Sequence, residues 1–340
     1  MPVHVAVDAH NLAHDDRGIG RYARAILVRA LREPAFTFTL VVRRPFPRSG
    51  PLSRVLDGAR VRVANRVPRD AGVVWFPWNG TFFDSDAPVV ATVHDVGPFA
   101  FPARSEKLRA AEQGPFLRTA AVAQRILVTS QITAREVERH LGVDQARLVV
   151  TPEAADTTIF SPGAPDSLPA GLIARRYLLC AGAHDERKNT ATLLEAYVAA
   201  FPAGDPPLVL TRRPAKLPKG AVVVTADSDA ELASLYRGAL LSLSPSPYEG
   251  FGLPTLEALA CAAPVIAARG GALPEIAADA VAWVDEPFRI DAWAVALRSL
   301  VSDDAARATL ASLGPARAAQ FSWNRCTAQT LSVLREVAEG

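Results

Sequence analysis

The sequence predicts an α/β protein made of two doubly wound halves, and three observations carry that reading. Short apolar, β-branched runs alternate with longer helical patterns along the whole chain, as parallel sheets covered by helices on both faces require. The alternation fails once, at Ser161–Gly171, where three prolines stand among other turn formers and no periodicity survives. The length, 340 residues, suits two ordinary domains. The expected division is therefore 1–165 and 172–320, with 321–340 as a final helical segment.

In the first half, strands are expected near 3–8, 37–42, 60–64, 72–76, 88–93 and 125–129, with helices between them. The clearest helix runs from Ile19 to Arg32, placing Tyr22, Ile26 and Ala30 on one face and Arg21, Arg24 and Arg29 on others. In the second half, strands are expected near 176–181, 207–211, 220–224, 240–244 and 264–267. Helices are expected near 189–200, 229–238, 254–262, 290–301 and 304–319, the second of these opened by Ser228 or Asp229 as cap. Ser322 to Glu339 reads as a helix anchored by Trp323.

Composition narrows the class. Apolar residues make up 49% and charged residues 21%, a balance that excludes wholesale disorder and a coiled coil. Cys180, Cys261 and Cys326 form no close pair, which argues against a disulfide scaffold or zinc knuckle and suits a reducing compartment. His4, His10 and His14 straddle a strand and a loop, a poor zinc spacing, so no metal is expected. The opening MPVHVAVDAHN shows no basic leader, and no apolar run approaches a membrane span. A cytoplasmic protein is expected. Residues 1–150 carry 21 Lys+Arg against 14 Asp+Glu, or +7, and the remainder carries −5, which together give the +2 of the chain. The basic half suits an anionic partner such as a phosphorylated ligand or an anionic membrane surface, or is a solvated surface rich in arginine. No stacking aromatics interleave with the arginines, so nucleic acid is not expected.

Doubly wound sheets bind ligands beyond the carboxyl ends of their strands, so chemistry is sought in the loops there and in a cleft where two such edges face each other. The most informative loop is Ser244-Pro-Ser-Pro-Tyr-Glu249-Gly-Phe-Gly-Leu-Pro254-Thr-Leu-Glu257. Gly250 and Gly252 allow close backbone approach, and Pro254 suits a first helical turn. The helix N-terminus so formed can receive phosphate or hydroxyl oxygens. Glu249 and Glu257 bracket that turn. A second loop, Ala181 to Asn189, sets Arg187 beside Lys188, one of only four lysines. Two adjacent cations there can neutralise a diphosphate.

The EGFGLPTLE segment resembles the signature of the family 4 retaining glycosyltransferases. The likeness extends through Glu231 to Ala239, Cys261 to Val265, Leu273 to Ile276, Cys180 to Gly182, Glu186 to Asn189 and Phe321 to Trp323. The resemblance implies the GT-B architecture: two Rossmann-like domains facing a central cleft, the acceptor side in the first, the donor nucleotide in the second, and the last helix crossing back to the first. It also implies that Glu249 contacts donor sugar hydroxyls and Glu257 the ribose, with Gly250, Phe251, Gly252 and Leu253 lining the donor, and that Arg187 and Lys188 hold the diphosphate. In the basic half, Arg17-Gly18-Ile-Gly20-Arg21 resembles the family's N-terminal glycine loop, which makes Gly18 and Gly20 donor-side candidates with Arg21 assisting. His94-Asp95 resembles its HD element, whose histidine contacts the reacting sugar; Asp95 is expected to orient the ring. Thr129-Ser130 resembles a serine-bearing loop near the donor.

The expected reaction is hexose transfer from a nucleoside-diphosphate sugar to a saccharide or lipid-linked acceptor hydroxyl, without a cofactor and with anomeric retention. GDP-mannose is the first expectation and UDP-glucose the second. A retaining hydrolase uses a close carboxylate pair as acid and nucleophile, and none is legible here. By the family likeness, Glu249 and Glu257 bind hydroxyls and the departing phosphate takes the acceptor proton. The alternatives are a non-catalytic sugar-nucleotide-binding relative and a sugar-nucleotide epimerase of the same architecture. Two departures from the family pattern stand out: Pro152-Glu153-Ala-Ala-Asp156 where Asn-Gly-Val-Asp is usual, and Ala263, preceded by Ala262, where a glycine precedes Pro264.

Overall fold

A computed structural model describes residues 1–15, 18–44, 48–182 and 186–340, apart from the side chain of Glu186. Two compact units emerge: Met1–Glu153 with Ser322–Gly340, and Ala154–Phe321. The boundary expected at 165 thus falls after Glu153. The intervening segment is pinned to the second unit, because Arg237 donates to the carbonyls of Ile159 and Ser161 at 2.7 and 2.8 Å and Ser167 N–H donates to Ser234 Oγ at 3.0 Å.

The first unit contains β1 (Val3–Asp8), α1 (Gly18–Ala30), β2 (Phe36–Val41), α2 (Ser49–Val55), β3 (Arg62–Ala64), β4 (Val73–Phe76), β5 (Val89–Val93), α3 (Gly97–Ala100), α4 (Glu106–Val122), β6 (Ala123–Val128), α5 (Gln131–Leu141) and β7 (Leu148–Val150). All pairings are parallel, in the order β3-β2-β1-β4-β5-β6-β7. A strand buried on both faces reads as an unbroken apolar run, and Val89-Val-Ala-Thr-Val93 is buried throughout. α1 buries Tyr22, Ile26 and Ala30, the face expected from the sequence. α5 starts at Ser130, whose Oγ accepts from Thr133 N–H, and stops at Gly142 in the left-handed region, the conformation that glycine adopts without strain.

The second unit contains β8 (Leu178–Cys180), α6 (Thr190–Ala200), β9 (Leu208–Leu210), β10 (Ala221–Val223), α7 (Asp229–Gly238), β11 (Leu241–Ser244), α8 (Leu253–Ala260), β12 (Val265–Ala268), α9 (Leu273–Ala277), β13 (Ala282–Val284), α10 (Ile290–Ser302) and α11 (Asp304–Ala318). Its sheet is again wholly parallel, ordered β10-β9-β8-β11-β12-β13, the Rossmann order. Leu178, Leu193, Tyr197, Leu208, Ile266 and Trp293 fill its core. Ser228 caps α7, accepting from Glu231 N–H. The final helix, α12 (Trp323–Glu339), lies on β4, β5 and β6 and against α1 of the first unit. Its Trp323 is 7% exposed and packs 6.1 Å from Tyr22, ring centre to ring centre. No helix among the described residues is long and apolar enough to cross a membrane.

The unusual alanines before Pro264 resolve into a helix stop. Ala262 takes φ 56°, Ala263 N–H donates to Ala258 O at 3.0 Å and Ala262 N–H donates to Leu259 O at 3.0 Å. The left-handed residue is therefore Ala262, one place before the position expected to want glycine. A Cβ there costs on the order of 1 kcal/mol. Ala262→Gly is expected to raise stability by up to about 1 kcal/mol, less the entropy lost in ordering glycine, as measured by urea unfolding. An unchanged or lower midpoint would show that the left-handed turn carries no strain.

Candidate active site

In each unit the strand order reverses beside the first strand, so neighbouring loops leave toward opposite faces and open a crevice at the carboxyl edge. In the second unit that point lies between β8 and β11. The loop after β8 ends in a tight turn at Glu186–Lys188 and then Asn189, left-handed at φ 54°. Asn189 is buried, and its amide donates to the carbonyls of Pro245 at 3.2 Å and Pro287 at 2.6 Å. It ties the β8 loop to the β11 loop. Across that tie Lys188 Nζ donates to both oxygens of Glu249, at 2.8 and 2.9 Å. The two side chains are 30% and 17% exposed, so the pair is half-sheltered and still open to a ligand.

Glu249 is held from behind by the loop after β12. Ala272 N–H donates to its carbonyl at 2.9 Å, and a Cβ at Gly271 would stand 2.5 Å from its backbone nitrogen. A Cβ at Gly270 would stand 2.3 Å from the carbonyl oxygen of Pro247. These two glycines escaped the sequence reading. Their signal was present as a Gly-Gly pair one residue after an apolar strand.

The remaining signature residues divide between core and edge. Gly252, at φ 96°, forms the start of α8, with Pro254 in the first turn. Phe251 and Leu253 are 4% and 6% exposed, and Phe251 meets Phe321 edge-on at 5.5 Å. Apolar packing draws both side chains inward, which leaves the backbone of Gly250–Leu253 for the expected donor contact. Glu257 is buried within α8 at 1% exposure. Arg187 shares the turn with Lys188 and is partly buried. Residues 183–185, His184 among them, lie outside the described residues.

In the first unit His94 follows β5 and is 6% exposed. Its Nδ1 lies 2.9 Å from Glu153 Oε1 and its Nε2 lies 3.0 Å from Pro77 O. Its backbone N–H donates to Asn79 Oδ1 at 2.6 Å, and the hydroxyls of Thr129 and Thr133 donate to its carbonyl. Burial of the ring opposes a charge, yet the hydrogen bond and charge of Glu153, the Pro77 carbonyl and the charge of Asp95 outweigh it and hold the pKa above the ordinary histidine value. Asp95 does not orient the ring as expected. Its Oδ1 accepts from Gly97 N–H at 2.8 Å to open α3, and Glu153 takes the orienting place.

Other first-unit candidates turn out to serve the chain itself. The Ser130 hydroxyl is fully buried and accepts from Thr133 N–H while donating to Thr133 Oγ1, so it caps α5. A Cβ on Gly20 would stand 1.7 Å from Asp15 O, so this glycine is required by the chain's own approach. Arg24 fastens the same loop, donating to Asp15 O at 2.8 Å and Leu12 O at 3.3 Å. Gly18 is exposed at the start of α1 beside Arg21, whereas Arg17 lies outside the described residues. His4 Nε2 lies 2.9 Å from Thr39 Oγ1 and His4 Nδ1 3.2 Å from Asp70. Among the described residues no group of three His, Cys, Asp or Glu side chains is placed to hold a metal.

Asp8 ends β1 at this unit's crevice and had been given no role. It is 1% exposed, its Oδ1 accepts from His10 N–H at 3.2 Å, and burial pushes its pKa up to about 6 against the lowering effects of that hydrogen bond and Arg43. The unfolded chain loses this proton near pH 3.8 and the folded chain near 6, so stability falls as pH rises across that window. The fall is on the order of 3 kcal/mol. Asp8→Asn is expected to remove this decline, so its advantage over the parent should grow from pH 4 to pH 6 in urea unfolding. A constant difference between the two across that range would contradict the assignment.

Residues 3–159 match the family model Glycosyltransferase Family 4, and residues 213–316 match Glycosyl transferases group 1. The chain is 28% identical over 266 residues to the O-antigen chain mannosyltransferase B of Escherichia coli, covering 72% of this chain and 70% of that protein. It is 31% identical over 243 residues to a D-inositol 3-phosphate glycosyltransferase of Nocardiopsis dassonvillei, covering 63% of this chain and 56% of the relative. The chain thus spans little more than half of that second relative. Among solved structures it resembles Anabaena HepE in complex with UDP and glucose, with a TM-score of 0.73 at 14% identity, covering 99% of this chain and 100% of that one. That likeness speaks to the fold, which is GT-B. The chain belongs to the group 1, family 4 glycosyltransferases.

Proposed function

We propose that this protein transfers a hexose from a nucleoside-diphosphate sugar to an acceptor hydroxyl in glycan or glycolipid synthesis, with the anomeric configuration retained. The observation that carries the reading is the Lys188–Glu249 pair at the order-reversal point of the second sheet, bonded at 2.8 and 2.9 Å and partly open. A sugar diphosphate suits both members of the pair. Its phosphates bring negative charge to the Lys188 ammonium and Arg187 guanidinium, and its sugar hydroxyls donate to the Glu249 carboxylate. As the glycosidic bond breaks, charge grows on the departing phosphate, and fixed cations stabilise it more than they stabilise the ground state. No metal is needed in this scheme. Glu257, one helix turn beyond, is the candidate for the ribose, and the backbone of Gly250–Leu253 for phosphate or hydroxyl oxygens.

The donor sugar proposed is mannose on GDP, since the Escherichia coli relative is a mannosyltransferase; UDP-glucose is second, and the HepE structure holds UDP and glucose. On the acceptor side, the +7 balance of residues 1–150 suits a saccharide carrying phosphate or a lipid-linked acceptor at an anionic surface.

Thermal unfolding against GDP-mannose, UDP-glucose, GDP and UDP tests the reading. A ligand at about 100 times its Kd adds about 2.7 kcal/mol to the native state. One sugar nucleotide is expected to stabilise the protein, Lys188→Ala to abolish the effect, and a chelator to leave turnover unchanged. NMR of the transferred sugar should show the donor's anomeric configuration. Stabilisation by none of the ligands overturns the function, and an inverted product overturns the retaining route alone.

A further inference from the structure

The buried pair of His94 and Glu153 joins residues 59 positions apart, and both side chains are almost fully enclosed, 7% and 6% exposed. Both ring nitrogens of His94 face acceptors, the Glu153 carboxylate at 2.9 Å and the Pro77 carbonyl at 3.0 Å. A neutral imidazole carries one N–H and can satisfy only one of them. With a proton on each nitrogen the ring donates to both acceptors at once. The backbone that carries Glu153 is itself anchored. Thr151 N–H donates to Val128 O at 2.8 Å, and Thr151 O accepts from Cys326 Sγ of α12, so the chain leaving β7 delivers Glu153 to one spot.

We propose that Glu153 is a positioning residue that fixes His94 as an imidazolium, Nδ1–H given to Glu153 and Nε2–H to the Pro77 carbonyl, so that His94 acts at this strand edge as a fixed positive charge and never as a base. A buried ion pair recovers little net stability after desolvation, and what it gives is a set ring orientation and a set protonation state. His94 is thereby excluded as the base for an acceptor hydroxyl. This assignment rests on the glycosyl-transfer reading for its kinetic consequence alone. The other ionisable groups facing the pair are Asp95 in the same loop, Tyr22 of α1, edge-on at 4.6 Å, and Cys326 of α12. Burial raises both Tyr22 and Cys326 far above their ordinary values, so neither gains charge near neutrality. His94 then sees two carboxylates and no neighbouring cation among these groups.

The test is long-range proton–nitrogen NMR of the full chain with ¹⁵N-labelled histidine, from about pH 6 to pH 8, around the ordinary histidine pKa of about 6.5. His94 is expected to show two protonated nitrogens at the acid end and to hold them past the point where an ordinary histidine has titrated. In Glu153→Gln the midpoint should fall to or below the ordinary value, because burial remains and the charge is gone. With a turned-over sugar nucleotide, the same variant should lose on the order of 10²-fold in kcat with KM little changed, and regain rate as pH is lowered. Glu153→Asp, which keeps the charge, should retain the flatter pH profile. Titration of wild-type His94 near its ordinary pKa overturns the proposal even if the variant fails to fold. A folded Glu153→Gln with a wild-type pH profile and kcat overturns the positioning role. Absence of any transfer, with His94 doubly protonated in the parent and titrating in the variant, removes the functional reading and leaves the ion-pair assignment standing.

Discussion

Parallel pairing is the constraint on which the rest depends. When every strand of a sheet runs the same way, all carboxyl ends share one edge, and a chain that works outward from its first strand in both directions must open a gap beside that strand. Both sheets here obey this, β1 against β4 and β8 against β11. Asp8 stands at one gap and the Lys188–Glu249 pair at the other. Neither placement is favourable for folding alone. A half-sheltered ion pair contributes little, and a buried carboxylate with a raised pKa costs stability above its unfolded titration point.

The second gap is framed by residues that hold the chain's own backbone in place. Asn189 uses one amide group to lash two loops together, and Gly270 and Gly271 leave the space through which the backbone of Pro247–Glu249 is pressed into place. Charged groups held this way need little rearrangement when a ligand arrives, which is the condition for electrostatic stabilisation of a transition state. In the first unit the same principle operates with a deeper pair. His94 and Glu153 are enclosed, and the neighbouring peptide groups are satisfied by Asn79, Thr129 and Thr133.

Much of the fold was legible because burial on both faces leaves a plain mark. Val73–Phe76 is a continuous apolar run and Val89–Val93 is broken only by Thr92, and α7 matched its expected span because Ser228 and the acidic first turn announce it. The edge strands β7 and β13 were missed, since Leu-Val-Val and Ala-Trp-Val are three residues long and show no period. At the site, glycines and charges in one loop could be read, and so could adjacent cations in another. What could not be read was pairing across distance. Glu153 looked like a departure ahead of the linker, and only the path of the chain after β7 brings it to His94. Likewise Phe251 and Leu253 share a motif with Glu249, but apolar packing turns both into the core.

The return of α12 to the first unit makes the second unit an insertion within the first. During synthesis, Ala154–Phe321 has its whole sheet available before the segment from Trp323 onward has left the ribosome. The unit begun first is therefore the one finished last: until its closing helix arrives, the parts of β4, β5 and β6 that α12 will cover stand bare. Nascent chains stalled before that point would expose an apolar surface of the kind that recruits chaperones, while their later-made half is already native.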